Sequence, residues 1–341
     1  MPHPSHALHS AQPGPAPGAP FLKLLAFALF LTFDLIMFGA FVRVTDAGLG
    51  CPDWPGCYGK ASPIGAMTQI REAAQALPDG PVTVFKAWVE MLHRYVAAGL
   101  GLIIIALLVL AHRDATRRAS LSLAWFTLAW ILLQGAFGAW TVTLKLQPAI
   151  VTAHLLGGMV LFGLLVAQWV RIRRQDGLTP LGAGLRRLAW VACLVLLVQI
   201  MLGGWVSTNY ATLACEDFPT CQGQWWPVAD FARGFEIWRP LGQTADGAAL
   251  PFQALTAIHL THRLWAGVAF AFLGLLAWRL RTQDPRVASW LGGLLVLQLV
   301  TGLTNIFLDW PLAAAVAHTG GAAALLGVVL MVALRRLNRP N

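Results

Sequence analysis

Charge is what this sequence has least of. Asp, Glu, Lys and Arg make up 11% of its 341 residues, against 57% hydrophobic, and that balance excludes an ordinary water-soluble domain. Cysteine is also scarce, with five in the chain. The scarce polar residues therefore stand against long apolar runs. Eight runs reach the roughly 20 residues that a helix needs to cross a bilayer: 21–42, 89–111, 121–144, 150–170, 188–206, 258–278, 287–308 and 312–334. The expected fold is an all-α integral membrane protein with eight transmembrane helices in two pseudo-symmetric four-helix bundles, residues 21–175 and 186–336, behind a disordered tail over 1–20.

The net charge of +9 excludes less than its placement does. Arg113, Arg117 and Arg118 follow the second span, and Arg171, Arg173, Arg174, Arg186 and Arg187 separate the fourth from the fifth. Arg279, Arg281 and Arg286 follow the sixth, and Arg335, Arg336 and Arg339 close the chain. All fall on one side of an eight-span path, with both termini, which makes that side cytoplasmic. The basic excess is a topology signal and no nucleic acid is expected. The connections 43–88 and 207–257 then lie outside, on the periplasmic side of an inner membrane, where disulfides persist. His3, His6 and His9 lie in the proline-rich tail, which leads into a retained span and not a cleaved signal peptide.

The chain is written twice. A shift of 164 residues lays Cys51 on Cys215, Cys57 on Cys221, Gln134 on Gln298 and His154 on His318; a shift of 169 lays His93-Arg94 on His262-Arg263. Each copy has four spans, and the four histidines fall in the first turns of even-numbered spans. They share one depth, with the two of each half on neighbouring helices. Ionisable groups in a span are costly and usually face an interior site. Two histidines per half fall short of a closed zinc site, but suffice as axial ligands of a haem iron, whose porphyrin supplies four nitrogens. Arg94, Arg263 and Arg43 are candidate partners of haem propionates; the alternative for Arg94 and Arg263 is a loop carboxylate or helix carbonyls.

The halves differ at one place. Glu90 stands three residues before His93, on the same helix face, whereas the repeat puts His259 there. An acid beside one site and not the other assigns chemistry to the N-terminal half and a bound redox cofactor to the C-terminal half. The pairs Cys51/Cys57 and Cys215/Cys221 bracket short loops, turned by proline, that can close intraloop disulfides; each pair is a staple or a reversible dithiol. Cys193 reads as a small buried apolar residue, Asp34 is a charge in mid-span, and Asp309 and Trp310 look interfacial. The 15 tryptophans cluster near span ends, as an aromatic belt does.

Residues 42–57, VRVTDAGLGCPDWPGC, closely resemble the first outer loop of bacterial haem A synthases, and 90–94, EMLHR, resembles their second-span motif. The surroundings of His154, His262 and His318 match as well. The resemblance implies oxidation of the C8 methyl of haem O to a formyl group, by successive oxidations with oxygen from water. It implies His93 and His154 around the substrate iron, His262 and His318 around haem b, Glu90 as the essential acid and Cys51/Cys57 as the catalytically important pair. Haem O synthase is the implied supplier, a quinone or other carrier the implied electron acceptor, and an oligomer is compatible. A bis-histidine dihaem cytochrome b for electron transfer and a haem carrier or chaperone are the alternatives; neither needs Glu90.

Overall fold

The computed structural model describes residues 19–78, 80–113, 121–173 and 180–336. His3, His6 and His9, with Arg117, Arg118, Arg174 and Arg339, lie outside the described residues. The helices are α1 (Ala19–Val44), α2 (Met67–Ala76), α3 (Val84–Arg113), α4 (Leu121–Thr143), α5 (Pro148–Arg173), α6 (Ala183–Thr208), α7 (Phe231–Gly234), α8 (Phe252–Leu280), α9 (Pro285–Phe307) and α10 (Leu312–Ala333). Eight of them are long and apolar enough to cross a membrane. The shortest, α10, has 22 residues and reaches about 33 Å, enough for a hydrocarbon core of about 30 Å. The chain is a multi-pass membrane protein.

Several spans begin earlier than apolarity alone places them. α1 starts at Ala19 inside the expected tail, α3 at Val84 and α8 at Phe252. The added turns hold Lys86, Gln253 and Thr256, which break an apolar run but not a helix, since backbone hydrogen bonding continues through them. The histidines of α3 and α8 therefore sit deeper within their helices than the first turn.

In each half the helices close a ring of contacts. α1, α3, α4 and α5 touch in that cyclic order, and so do α6, α8, α9 and α10. The seam between the rings is made by α1 on α10, α5 on α6, α5 on α10 and α1 on α6, the pattern that exchanging equivalent helices would leave unchanged. Without water to expel, helices in lipid associate by close contact at small residues, and the seam has them. A Cβ at Gly320 would stand 2.9 Å from Met37 Sδ, one at Gly163 would stand 2.9 Å from Leu330, and one at Gly327 would stand 3.0 Å from Phe162. Leu196, Leu273, Leu326 and Val329 continue this core through the second ring.

At the end of the molecule that carries the cysteine loops, the seam closes on equivalent positions. Arg43 Nη2 donates to the Ser207 carbonyl at 2.7 Å, and Tyr210 Oη donates to Asp46 Oδ1 at 2.6 Å. Both pairs are separated by 164 residues, so each joins a residue to its own counterpart. Arg43 also bonds Asp46 at 3.0 Å and lies 4.0 Å over the Tyr210 ring. Replacing Arg43 with Ala is expected to cost about 1–3 kcal/mol, read as a lower thermal unfolding midpoint in detergent. Ser207→Ala should leave that midpoint unchanged, because the acceptor is a backbone carbonyl.

Candidate functional site

The sequence places a histidine on α3, α5, α8 and α10, and the ring order decides which of them meet. α3 and α5 are diagonal members of the first ring, α8 and α10 of the second; the two histidines of a half are not on neighbouring helices, as spacing alone suggested, but oppose each other across the bundle. His93 and His154 are close enough to interact electrostatically, as are His262 and His318. All four are half-buried.

A glycine of another helix faces each imidazole. A Cβ at Gly39 on α1 would stand 3.3 Å from His93 Nε2, and one at Gly203 on α6 would stand 3.1 Å from His262 Cε1. Gly138 on α4 and Gly302 on α9 repeat this at 3.6 Å from His154 Cε1 and 3.5 Å from His318 Cε1. A Cβ at Gly39 or Gly203 would press on its ring, and one at Gly138 or Gly302 would touch its ring at ordinary contact distance. Among the described residues no three His, Cys, Asp or Glu side chains cluster as a metal-ion site. Two opposed imidazoles, His154 Nδ1 buried without a partner, and glycine clearance beside every ring fit a planar tetrapyrrole with two axial nitrogens.

Above each pair sits a disulfide loop, Cys51–Cys57 and Cys215–Cys221. The Asp53 carboxylate accepts the Tyr58 and Gly59 N–H groups at 2.6 and 2.7 Å, and Asp217 accepts those of Gln222 and Gly223 at 2.7 and 2.9 Å. The Thr220 hydroxyl and these amides hold the Asp217 carboxyl below the usual range. Burial raises Tyr210 at the seam.

The arginine after each first histidine ties its loop down. Arg94 Nη1 donates to the carbonyls of Asp53, Pro55 and Gly56 at 2.9, 3.2 and 2.7 Å. Arg263 Nη1 donates to Asp217 and Thr220 at 2.7 and 3.0 Å, and its Nη2 to Cys215 at 2.6 Å. Loop carbonyls are a partner that neither reading of these arginines named.

Glu90 completes the first site. It is 4% exposed; Oε1 accepts from Arg94 Nη2 and Oε2 from the Cys51 N–H at 2.8 Å. The loop can come this close because Gly50 lies against α3, where a Cβ would stand 2.5 Å from the Lys86 backbone. Glu90, Arg94, Cys51 and Cys57 thus form one connected group, with His93 beside Arg94 on the same helix. In the second half His259 occupies the place of Glu90, accepting from Arg263 Nε at 3.2 Å.

Residues 23–330 match the family model described as cytochrome oxidase assembly protein, COX15-CtaA. A relative from Shewanella oneidensis named heme A synthase is 42% identical over 309 residues, covering 89% of this chain and 92% of the relative. Two more with that name, from Rhizorhabdus wittichii and Symbiobacterium thermophilum, are 27% and 28% identical, covering 94% and 86% of this chain and 94% and 88% of their own lengths. The chain belongs to the cytochrome oxidase assembly family.

Other candidates lie away from both pairs in this family member. Asp34 is exposed on α1, Arg43 is held in the seam, and Cys193 is buried and free. Asp309 and Trp310 form a left-handed turn after α9, as Lys145 and Leu146 do after α4. Sequence reading missed the four glycines, although the same 164-residue shift relates Gly39 to Gly203 and Gly138 to Gly302. It also missed Thr301, which lies 2.9 Å from His318 Nδ1, and Gln199, beside His262.

Removing Arg94 takes away three hydrogen bonds to the first loop. Amide exchange over 51–60 in Arg94→Ala should rise at least tenfold, since hydrogen bonds to charged groups contribute about 1.5–3 kcal/mol each, with the second loop unchanged. Hydrogen-exchange mass spectrometry reads both loops at once, and Arg263→Ala should give the mirror result.

Proposed function

We propose that this protein is a haem A synthase, oxidising the C8 methyl of haem O to a formyl group. The N-terminal ring takes the substrate, with His93 and His154 on either side of its iron, and the C-terminal ring holds haem b between His262 and His318. One observation carries the division of labour. An acid bonded to a disulfide loop stands one turn from His93, and an imidazole takes its place beside His262. The name shared by the relatives supports the reaction.

Converting a methyl to a formyl group with oxygen from water releases four electrons and four protons. Haem b, when bound, supplies a one-electron redox centre from which a quinone or other carrier draws those electrons. The chain's own contribution lies in the first ring. Glu90 takes a proton from the carbon being oxidised or balances positive charge developing on it. Arg94 and the Cys51 N–H orient its carboxylate, while the Cys51–Cys57 loop covers that end of the ring. The arginines at the opposite end of the bundle, Arg113, Arg171, Arg186, Arg187, Arg279 and Arg335 among them, support a cytoplasmic placement for that face of the inner membrane. The disulfides then face the periplasm, and haem O synthase delivers the insoluble substrate.

The test is chromatography of haems from a host without its own haem A synthase, co-expressing this chain and a haem O synthase. A haem A peak is expected, falling at least about 100-fold in Glu90→Ala while haem b stays bound. Only haem B and haem O from haem-loaded protein would instead indicate an electron-transfer cytochrome.

A further inference from the structure

The two histidine pairs are built on one plan but held differently. In the second ring Thr301 Oγ1 donates to the Leu297 carbonyl at 2.7 Å and lies 2.9 Å from His318 Nδ1. With its hydrogen committed to Leu297, the hydroxyl accepts from the ring. Nδ1 therefore carries the proton, and the Nε2 lone pair is left for iron. Gln298 Nε2 donates to the His318 carbonyl at 2.9 Å and fixes the backbone of the same residue. Opposite, Gln199 Nε2 lies 3.2 Å from His262 Nδ1 and 3.4 Å from its Nε2, and the amide oxygen Oε1 is buried without a partner. Turned toward the ring, that oxygen accepts the Nδ1–H in the same way.

The first ring lacks these holds. The 164-residue shift puts Phe137 in the place of Thr301 and Leu35 in the place of Gln199. His154 Nδ1 is buried without a partner, and so is Nε2 of Gln134, the counterpart of Gln298. Among the described residues His93 has only the Leu35 backbone as a hydrogen-bond partner. One ring orients both imidazoles with side chains of other helices; in the other, a backbone carbonyl holds His93 and His154 Nδ1 has no partner.

We propose that Thr301 and Gln199 are positioning residues that make the C-terminal pair a permanent haem site, and that Phe137, in the place of Thr301, leaves His154 loose enough for the N-terminal pair to exchange haem. The inference rests on the assignment of haem b to His262 and His318. A substrate must enter and a product leave at every turnover, whereas a cofactor that carries electrons must stay.

The purified, haem-loaded protein in detergent is challenged with excess apomyoglobin, and haem transfer is followed by absorbance. Thr301→Val and Gln199→Leu should release haem b about 10–100-fold faster, the usual cost of removing a partner of a metal-bound histidine. The remaining haem b should titrate at a higher midpoint potential, because an imidazole without its acceptor donates less electron density to ferric iron. Thr301→Ser should restore both values. Wild-type release rates and potential in the Val and Leu variants would overturn the proposal, as would a Ser variant that behaves like Val. His262→Ala and His318→Ala separate the two levels: if these keep a stable haem b, the assignment itself is wrong and the proposal falls with it.

Discussion

Two imidazoles must meet across the diagonal of a four-helix bundle inside a membrane, and the rest of the structure follows from that constraint. Diagonal helices lack the close packing of neighbours in the ring, so their imidazoles face each other across the middle of the bundle. The intervening helices must then come close to the rings without filling the space, and Gly39, Gly138, Gly203 and Gly302 do this at equivalent positions. The same shortage of side chains recurs at the seam, where Gly163, Gly320 and Gly327 let the two rings touch. In lipid, contact of this kind is the main attraction available.

Duplication supplies two sites, and a few substitutions make them unlike. Glu90 against His259 separates a site with an acid from one without. Thr301 against Phe137, and Gln199 against Leu35, separate a site whose imidazoles are both held by side chains from one in which neither is. The loop architecture is left alone: both halves keep the disulfide, the Asp that caps the turn and the Arg that ties three loop carbonyls to the helix. Only in the first half does the helix acid also bond the loop, through the Cys51 N–H, which connects the disulfide to the residues around His93.

Much of this was legible in the chain itself. Apolar runs located all eight spans, because a bilayer demands length and hydropathy from every crossing helix, and the 164-residue shift paired His154 with His318 and the cysteines with each other. Helix starts were less legible: polar residues such as Lys86 and Thr256 end an apolar run while the helix continues beneath a loop. Diagonal placement was hidden because it is set by which helices touch, and no spacing along one helix records that. The role of Arg94 was hidden for a related reason. Its partners are backbone carbonyls, which every residue has and no sequence pattern marks.

In the proposed division of labour one ring turns haem over while the other keeps it. The most direct measurement gives cells an isotopically labelled haem precursor after synthesis of this protein has been stopped, then isolates the protein and analyses its haems by mass spectrometry. Unlabelled haem b is expected beside haem O and haem A that acquire label with turnover. Haem b that takes up label as fast as the other two would contradict it.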